Sequence, residues 1–115
     1  MSIRVAIASQ DGQFVNEHFG RAGKFWIYQG DSAGFEWVET RPVTPPCSGG
    51  SHAEDALLDA ARNLSDCQVV LCSAIGPGAQ AVLESVGVQA FAITDRIEAA
   101  LARLLRFRKL SDSTK

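Results

Sequence analysis

Apolar and polar positions change period several times along the chain, and each change predicts an element. Ile3-Arg4-Val5-Ala6-Ile7-Ala8-Ser9 is rich in β-branched and apolar residues and reads as a buried strand. A polar, Gly-containing loop follows to about Ala22. Lys24 to Gln29 reads as a second strand, Gly30 to Gly34 as a turn of hairpin length, and Phe35 to Thr40 as a third strand with partial alternation. Pro42, Pro45, Pro46, Gly49 and Gly50 then impose a long loop, because proline removes backbone donors and excludes helix. Ser51-His52-Ala53-Glu54 is a capping-box pattern, and the helix it opens places Ala53, Ala56, Leu57, Ala60, Ala61 and Leu64 at helical spacing. Cys67 to Cys72 reads as a buried strand. Gly76-Pro77-Gly78 opens a second helix with Ala79, Val82, Leu83 and Val86 inward, and Gly87 ends it. Val88 to Ile93 is a fifth strand. Asp95 with Glu98 caps a third helix, whose Ile97, Leu101, Leu104 and Leu105 share a face.

The element order βββ-α-β-α-β-α limits the topology. Right-handed crossovers place the fourth strand beside the first and the fifth beyond it. The expected sheet order is 3-2-1-4-5, with only the second strand antiparallel and helices on both faces. That is an α/β, ribonuclease-H-like three-layer arrangement. Residues 1–110 form one domain, followed by a polar tail over 111–115.

Composition narrows the class. At 115 residues, 46% hydrophobic and 21% charged, the chain suits a single globular core. A net charge of −2 with no broad basic patch argues against a nucleic-acid partner. The densest basic run, Arg103, Arg106, Arg108 and Lys109, suits the last turn of a helix. No apolar run approaches the roughly 18 residues that cross a bilayer, so no membrane partner is expected. No secretory signal precedes the first strand, and a cytoplasmic location is the default. Three cysteines then make no disulfide framework, and reduced thiols are expected.

Candidate chemistry gathers at one edge. In open α/β sheets ligands bind beyond the carboxyl ends of the parallel strands, where strand order reverses. That point falls between strands one and four. The loop with His18-Phe19-Gly20-Arg21, the loop with Cys47-Ser48-Gly49-Gly50-Ser51-His52, Cys72 and Gly76-Pro77-Gly78 all map there. Thiolate and imidazole suit soft transition-metal centres. Helix N-termini near His52 and Gly78 present free N–H groups to an anion. Glycines at 49, 50, 76 and 78 permit close backbone approach, and Arg21 adds a fixed positive charge. Each residue also has a plainer reading. His18 reads as a ligand or as a loop residue held by local hydrogen bonds, and His52 as a ligand or a first-turn residue. Cys47, in a Pro/Gly loop with no core to fill, reads as a ligand or reactive thiol. Cys72 reads as a small core residue and Cys67 as structural. Gly76-Pro77-Gly78 is also a plain strand-to-helix turn, and Arg21 also a solvated charge.

Several enzyme classes fall away. A nuclease of this fold type needs clustered carboxylates around Mg²⁺, and Ile3 to Ser9 contains no acid. There is no Cys-x-x-Cys for thiol redox chemistry, and Cys67 and Cys72 are five positions apart on one strand, which sends them to opposite faces. No Ser/His/Asp set is discernible. A closed zinc site from Cys47, His52, His18 and Cys72, or a regulatory interaction domain, is the alternative; the spacings match no standard zinc pattern.

Asp11-Gly12 with Val15-Asn16-Glu17-His18-Phe19-Gly20-Arg21-Ala22 resembles a signature of the dinitrogenase iron–molybdenum cofactor biosynthesis family. The Cys47-to-His52 loop, Asp66-Cys67-Gln68-Val69-Val70-Leu71-Cys72 and Ile75-Gly76-Pro77-Gly78-Ala79 resemble it too. The family includes NifX-like carriers, the C-terminal domain of NifB and an orange protein holding a molybdenum–copper sulfide cluster. The resemblance implies a non-catalytic domain that binds or ferries an iron–molybdenum or related metal–sulfur cluster, or its precursor, between donor and acceptor proteins of cofactor biosynthesis. It carries over His18, Cys47 and His52 as candidate ligands.

Overall fold

The computed structural model describes residues 2–31, 33–43 and 53–113, with the side chains of 53–56 and 107–113 excluded. The elements are β1 (Ile3–Ala8), a 3-10 turn (Phe19–Arg21), β2 (Lys24–Asp31), β3 (Gly34–Pro42), α1 (Ala53–Asn63), β4 (Val69–Cys72), α2 (Pro77–Ser85), β5 (Gln89–Ala92) and α3 (Ile97–Ser113). The sheet order is β3-β2-β1-β4-β5. β1 pairs with β4, and β4 with β5, in parallel. β2 runs antiparallel to both its neighbours. The sequence expectation for strand order and direction therefore holds.

Two apolar layers sandwich the sheet, and strand alternation assigns residues to each. Ala6, Ala8, Phe25, Ile27, Val70 and Cys72 face α1 and α2, where Ala60, Ala61, Leu64, Ala79 and Leu83 close the core. Val5, Ile7, Val69 and Leu71 face α3, through Ile97, Ala100, Leu101 and Leu104. Gly87 ends α2 in the left-handed region (φ +84°), which glycine enters without a Cβ penalty. Its N–H and that of Val88 donate to the carbonyls of Glu84 and Leu83, closing the last turn.

Three local expectations are corrected. The ladder of β4 begins at Val69, because Cys67 still belongs to the turn out of α1, where its N–H donates to Leu64 O (2.9 Å). Counting parity from Cys67 therefore fails, and Cys67 and Cys72 join the same core layer rather than opposite faces. At the start of α3, the Ile97 N–H donates to the carbonyl of Gln13 (2.8 Å), and the Asp95 carboxylate accepts from Arg96 N–H (2.7 Å) in place of the expected box with Glu98. Arg103 and Arg106 lie within α3, well short of its end at Ser113, so they do not complement its last turn.

From the carboxyl end of β3, Arg41 ties the sheet to the α1–β4 turn. Its guanidinium donates to both carboxylate oxygens of Asp66 (2.8 and 3.0 Å) and to Asn63 O (2.6 Å), and Arg4 adds a third donor to Asp66 (3.0 Å). Arg41 beside it, together with Arg4, holds the Asp66 carboxyl down at about 2.

Candidate functional site

The carboxyl ends of β1 and β4 are bridged by the loop between Ser9 and Lys24, and the way that loop is tied down defines the site. Val15 is fully buried in the α3 layer, while Phe19 and Ala22 are buried in the α1/α2 layer. Each of the two larger side chains contributes about 1.5–3 kcal/mol by leaving water. The chain between them must therefore cross the sheet's edge from one layer to the other. Backbone pairing fixes the crossing. Glu17 N–H donates to Ala8 O (3.3 Å), Ser73 N–H donates to Glu17 O (3.0 Å), and Phe19 N–H donates to Ala74 O (3.0 Å). His18 thus bridges in parallel to Ala74, directly before the turn into α2.

The front half of the loop is organised by Asp11. Its carboxylate accepts from the N–H groups of Gln13 (2.9 Å) and Phe14 (3.0 Å) and from the Ser9 hydroxyl (3.2 Å), an Asx-type turn. Those backbone donors, Gln13 first, hold its carboxyl below the usual carboxylate range. Asn16 Oδ1 accepts from Gln10 N–H (2.8 Å), and the Glu17 carboxylate accepts from Gln10 Nε2 and from His18 N–H (3.1 Å each). Gly12 sits at φ +75°, with the Trp26 ring packed where a Cβ would stand. The Trp26 indole N–H is itself tied to Ser9 O (3.1 Å).

On this frame His18 and Arg21 are exposed, one at each end of the Phe19–Arg21 turn. Gly76 caps α2 with an extended backbone (φ −76°, ψ 158°) and no side-chain cap, and Pro77 occupies the first turn. At Gly76 and Gly78 an added Cβ would meet no described atom, and neither glycine has a positive φ. Neither packing nor backbone conformation among the described residues therefore requires glycine there. Among the described residues nothing covers the start of α2, where the helix dipole adds partial positive charge.

His18, Arg21, Gly76 and Gly78 are thus placed at one edge, as the strand ends required. Cys47, Gly49, Gly50 and His52 lie outside the described residues. Val43 and Ala53, which flank that segment, are both at this edge: Val43 N–H donates to Gly23 O (3.0 Å), and α1 runs from Ala53 back toward the opposite end of the sheet. Cys72 is fully buried, and burial pushes its thiol up to about 11. Cys67 is also buried; burial first, then the Asp66 carboxylate beside it, pushes its thiol up to about 12. Both behave as core residues. Among the described residues no group of three or more His, Cys, Asp or Glu side chains is arranged to hold a metal ion. No described helix is long and apolar enough to cross a membrane.

Asp11, Asn16 and Glu17, which shape the loop, entered the sequence reading only as part of the family signature, with no structural role assigned. Asp11-Gly12 after a strand carried a readable signal, since Asp accepts from the backbone two and three residues on and Gly takes the turn. Nothing local announced the pairing of Glu17 with Ala8 and Ser73.

The model of the family described as dinitrogenase iron–molybdenum cofactor matches residues 1–106. The FeMo cofactor biosynthesis protein NifB of Frankia alni is 39% identical over 105 residues, covering 89% of this chain and 21% of that protein. NifB of Herbaspirillum seropedicae is 40% identical over 89 residues, covering 77% of this chain and 17% of its own length. The chain therefore spans about a fifth of the length of these relatives. The apo form of the orange protein from Desulfovibrio gigas shares the fold, with a TM-score of 0.61 at 23% identity over 90% of this chain and 87% of that one. With a match running over nearly its whole length, the chain belongs to the dinitrogenase iron–molybdenum cofactor family.

Proposed function

We infer that the chain takes part in iron–molybdenum cofactor biosynthesis as a non-catalytic carrier. Its cargo is an iron–molybdenum or related metal–sulfur cluster, or a precursor, received from a donor protein and passed to an acceptor. The observation that carries this reading is the exposed His18 on a loop clamped to Ala8, Ser73 and Ala74, beside an α2 start whose two glycines serve no described packing need. The strand order and the antiparallel second strand support a ribonuclease-H-like fold for the carrier.

In this reading the cluster is cargo and the chain's own groups hold it. Cys47 supplies thiolate, and His18 and His52 supply imidazole, a donor set suited to iron, molybdenum or copper bound to sulfide. Backbone N–H groups at the start of α2 and the guanidinium of Arg21 offset the cluster's negative charge. Glycines 49, 50, 76 and 78 let the backbone approach a bulky guest. Few ligands and moderate affinity fit transfer better than permanent storage.

The test is anaerobic uptake. Apo-protein is incubated with iron–molybdenum cofactor, or with thiomolybdate and copper(I), then desalted and measured by absorption and metal analysis. The expected outcome is a stoichiometric sulfide-bridged chromophore, weakened in His18→Ala, Cys47→Ala and His52→Ala. Failure to retain any such cluster, or stoichiometric zinc in anaerobically isolated protein, overturns the reading.

A further inference from the structure

The α3 face of the sheet, opposite the layer of α1 and α2, carries a groove. Between β5 and α3 runs this open groove of about 590 Å³, within the roughly 300–1,000 Å³ typical of small-molecule sites. Leu71, Phe91, Ile93 and Leu104 form an apolar floor, and Arg103 and Arg106 stand at its lip. The two arginines are three residues apart on α3, so their side chains project from one flank of the helix. Arg103 is 60% exposed, and its ion pair with Asp95 is loose (3.7 Å). Arg106 is exposed as well. Among the described side chains of α3, Glu98 acts by its charge on Tyr28 of β2, while Arg103 and Arg106 line the groove.

We propose that this groove binds a small amphipathic carboxylate, with its hydrocarbon body on the Leu71–Phe91–Ile93–Leu104 floor and its carboxylate held by Arg103 and Arg106. An apolar floor alone would accept any greasy molecule. The paired guanidiniums add selectivity, because planar N–H forks bind carboxylate by charge-assisted hydrogen bonds. The size of the groove favours a single small ligand over a protein surface. The site uses none of the residues assigned to cluster binding, so it stands or falls independently of the carrier reading.

The test titrates ¹⁵N-labelled full chain with sodium decanoate, kept below its micelle concentration, and follows backbone amides by NMR. Saturable shifts are expected at Phe91, Ile93, Ala100 and Leu104, while Ser73 to Gly78 stay unmoved. Decanol, with the tail and no charge, and acetate, with the charge and no tail, should each bind at least about tenfold more weakly. The surface double variant Arg103→Gln/Arg106→Gln should lose a similar factor while keeping its melting temperature. Equal affinity for decanol and decanoate, shifts centred on Ser73 to Gly78, or unchanged binding by the double variant each overturn the proposal. So does binding of a glutamate-flanked apolar peptide in place of decanoate.

Discussion

Replacing Gly78 by alanine and Gly76 by serine should raise stability while lowering cluster uptake. Both positions have ordinary backbone angles and open space where a side chain would start. In the first turn of α2, alanine at 78 restricts the unfolded chain and improves helix propensity, a gain of about 0.5 kcal/mol. Serine at 76 supplies the side-chain cap that α2 lacks, worth a few tenths of a kcal/mol. Together the changes approach about 1 kcal/mol, or roughly 4 °C in melting temperature for a domain of this size. In the carrier reading, the same Cβ atoms stand in the way of a bulky anion approaching the α2 amides. Holding the ligand off by a methyl group should cost at least about tenfold in retained cluster, roughly 1.4 kcal/mol. Thermal unfolding by circular dichroism and anaerobic uptake followed by metal analysis read the two effects separately. A double variant that melts lower than wild type would show that packing needs these glycines. One that melts higher and loads cluster normally would show that the α2 start does not contact the cargo.

Three further outcomes follow from the structure. Lowering the Asp66 carboxyl from 3.8 to about 2 is worth at most about 2.4 kcal/mol, which solvent screening of its 44% exposed side chain trims to about 1 kcal/mol. Because its folded pKa is depressed, that contribution is present above pH 4 and lost as pH falls through about 2; urea unfolding should show Asp66→Asn weaker at pH 7, with a flatter acid limb, and a matching wild-type and variant profile would refute the Arg41–Asp66 tie. Gly12→Ala should lose about 2–3 kcal/mol, since φ +75° strains alanine and its Cβ would stand 2.6 Å from the Trp26 ring; an unchanged denaturation midpoint would contradict the packing. At pH 8 the native protein should show no prompt reaction of Cys67 or Cys72 with a thiol reagent, because burial raises both thiols, and prompt labelling mapped to either by peptide mass analysis would contradict their placement in the core.

Period and punctuation in the sequence determined the elements, their order and the strand pairing. Runs such as Ile3 to Ala8 and Val69 to Cys72, stops such as Gly87, and the handedness of parallel crossovers act locally or through one general rule, so they are legible without coordinates. The same rule brought His18 and Gly76–Gly78 to one edge. Tertiary structure decided what depends on partners distant along the chain. Burial of Val15 and Phe19 in opposite layers forces the loop across the edge and seats Glu17 between Ala8 and Ser73. The carbonyl of Gln13 takes the first amide of α3 because that loop passes there, displacing the expected Asp95–Glu98 box. Cys67 joins the layer of Cys72 because the ladder of β4 starts two residues later than its apolar run suggests, and face parity holds only inside a ladder. Arg41 finds Asp66, and Arg103 and Arg106 come to flank a groove floored by Leu71 and Phe91, because packing brings together residues that no periodicity connects.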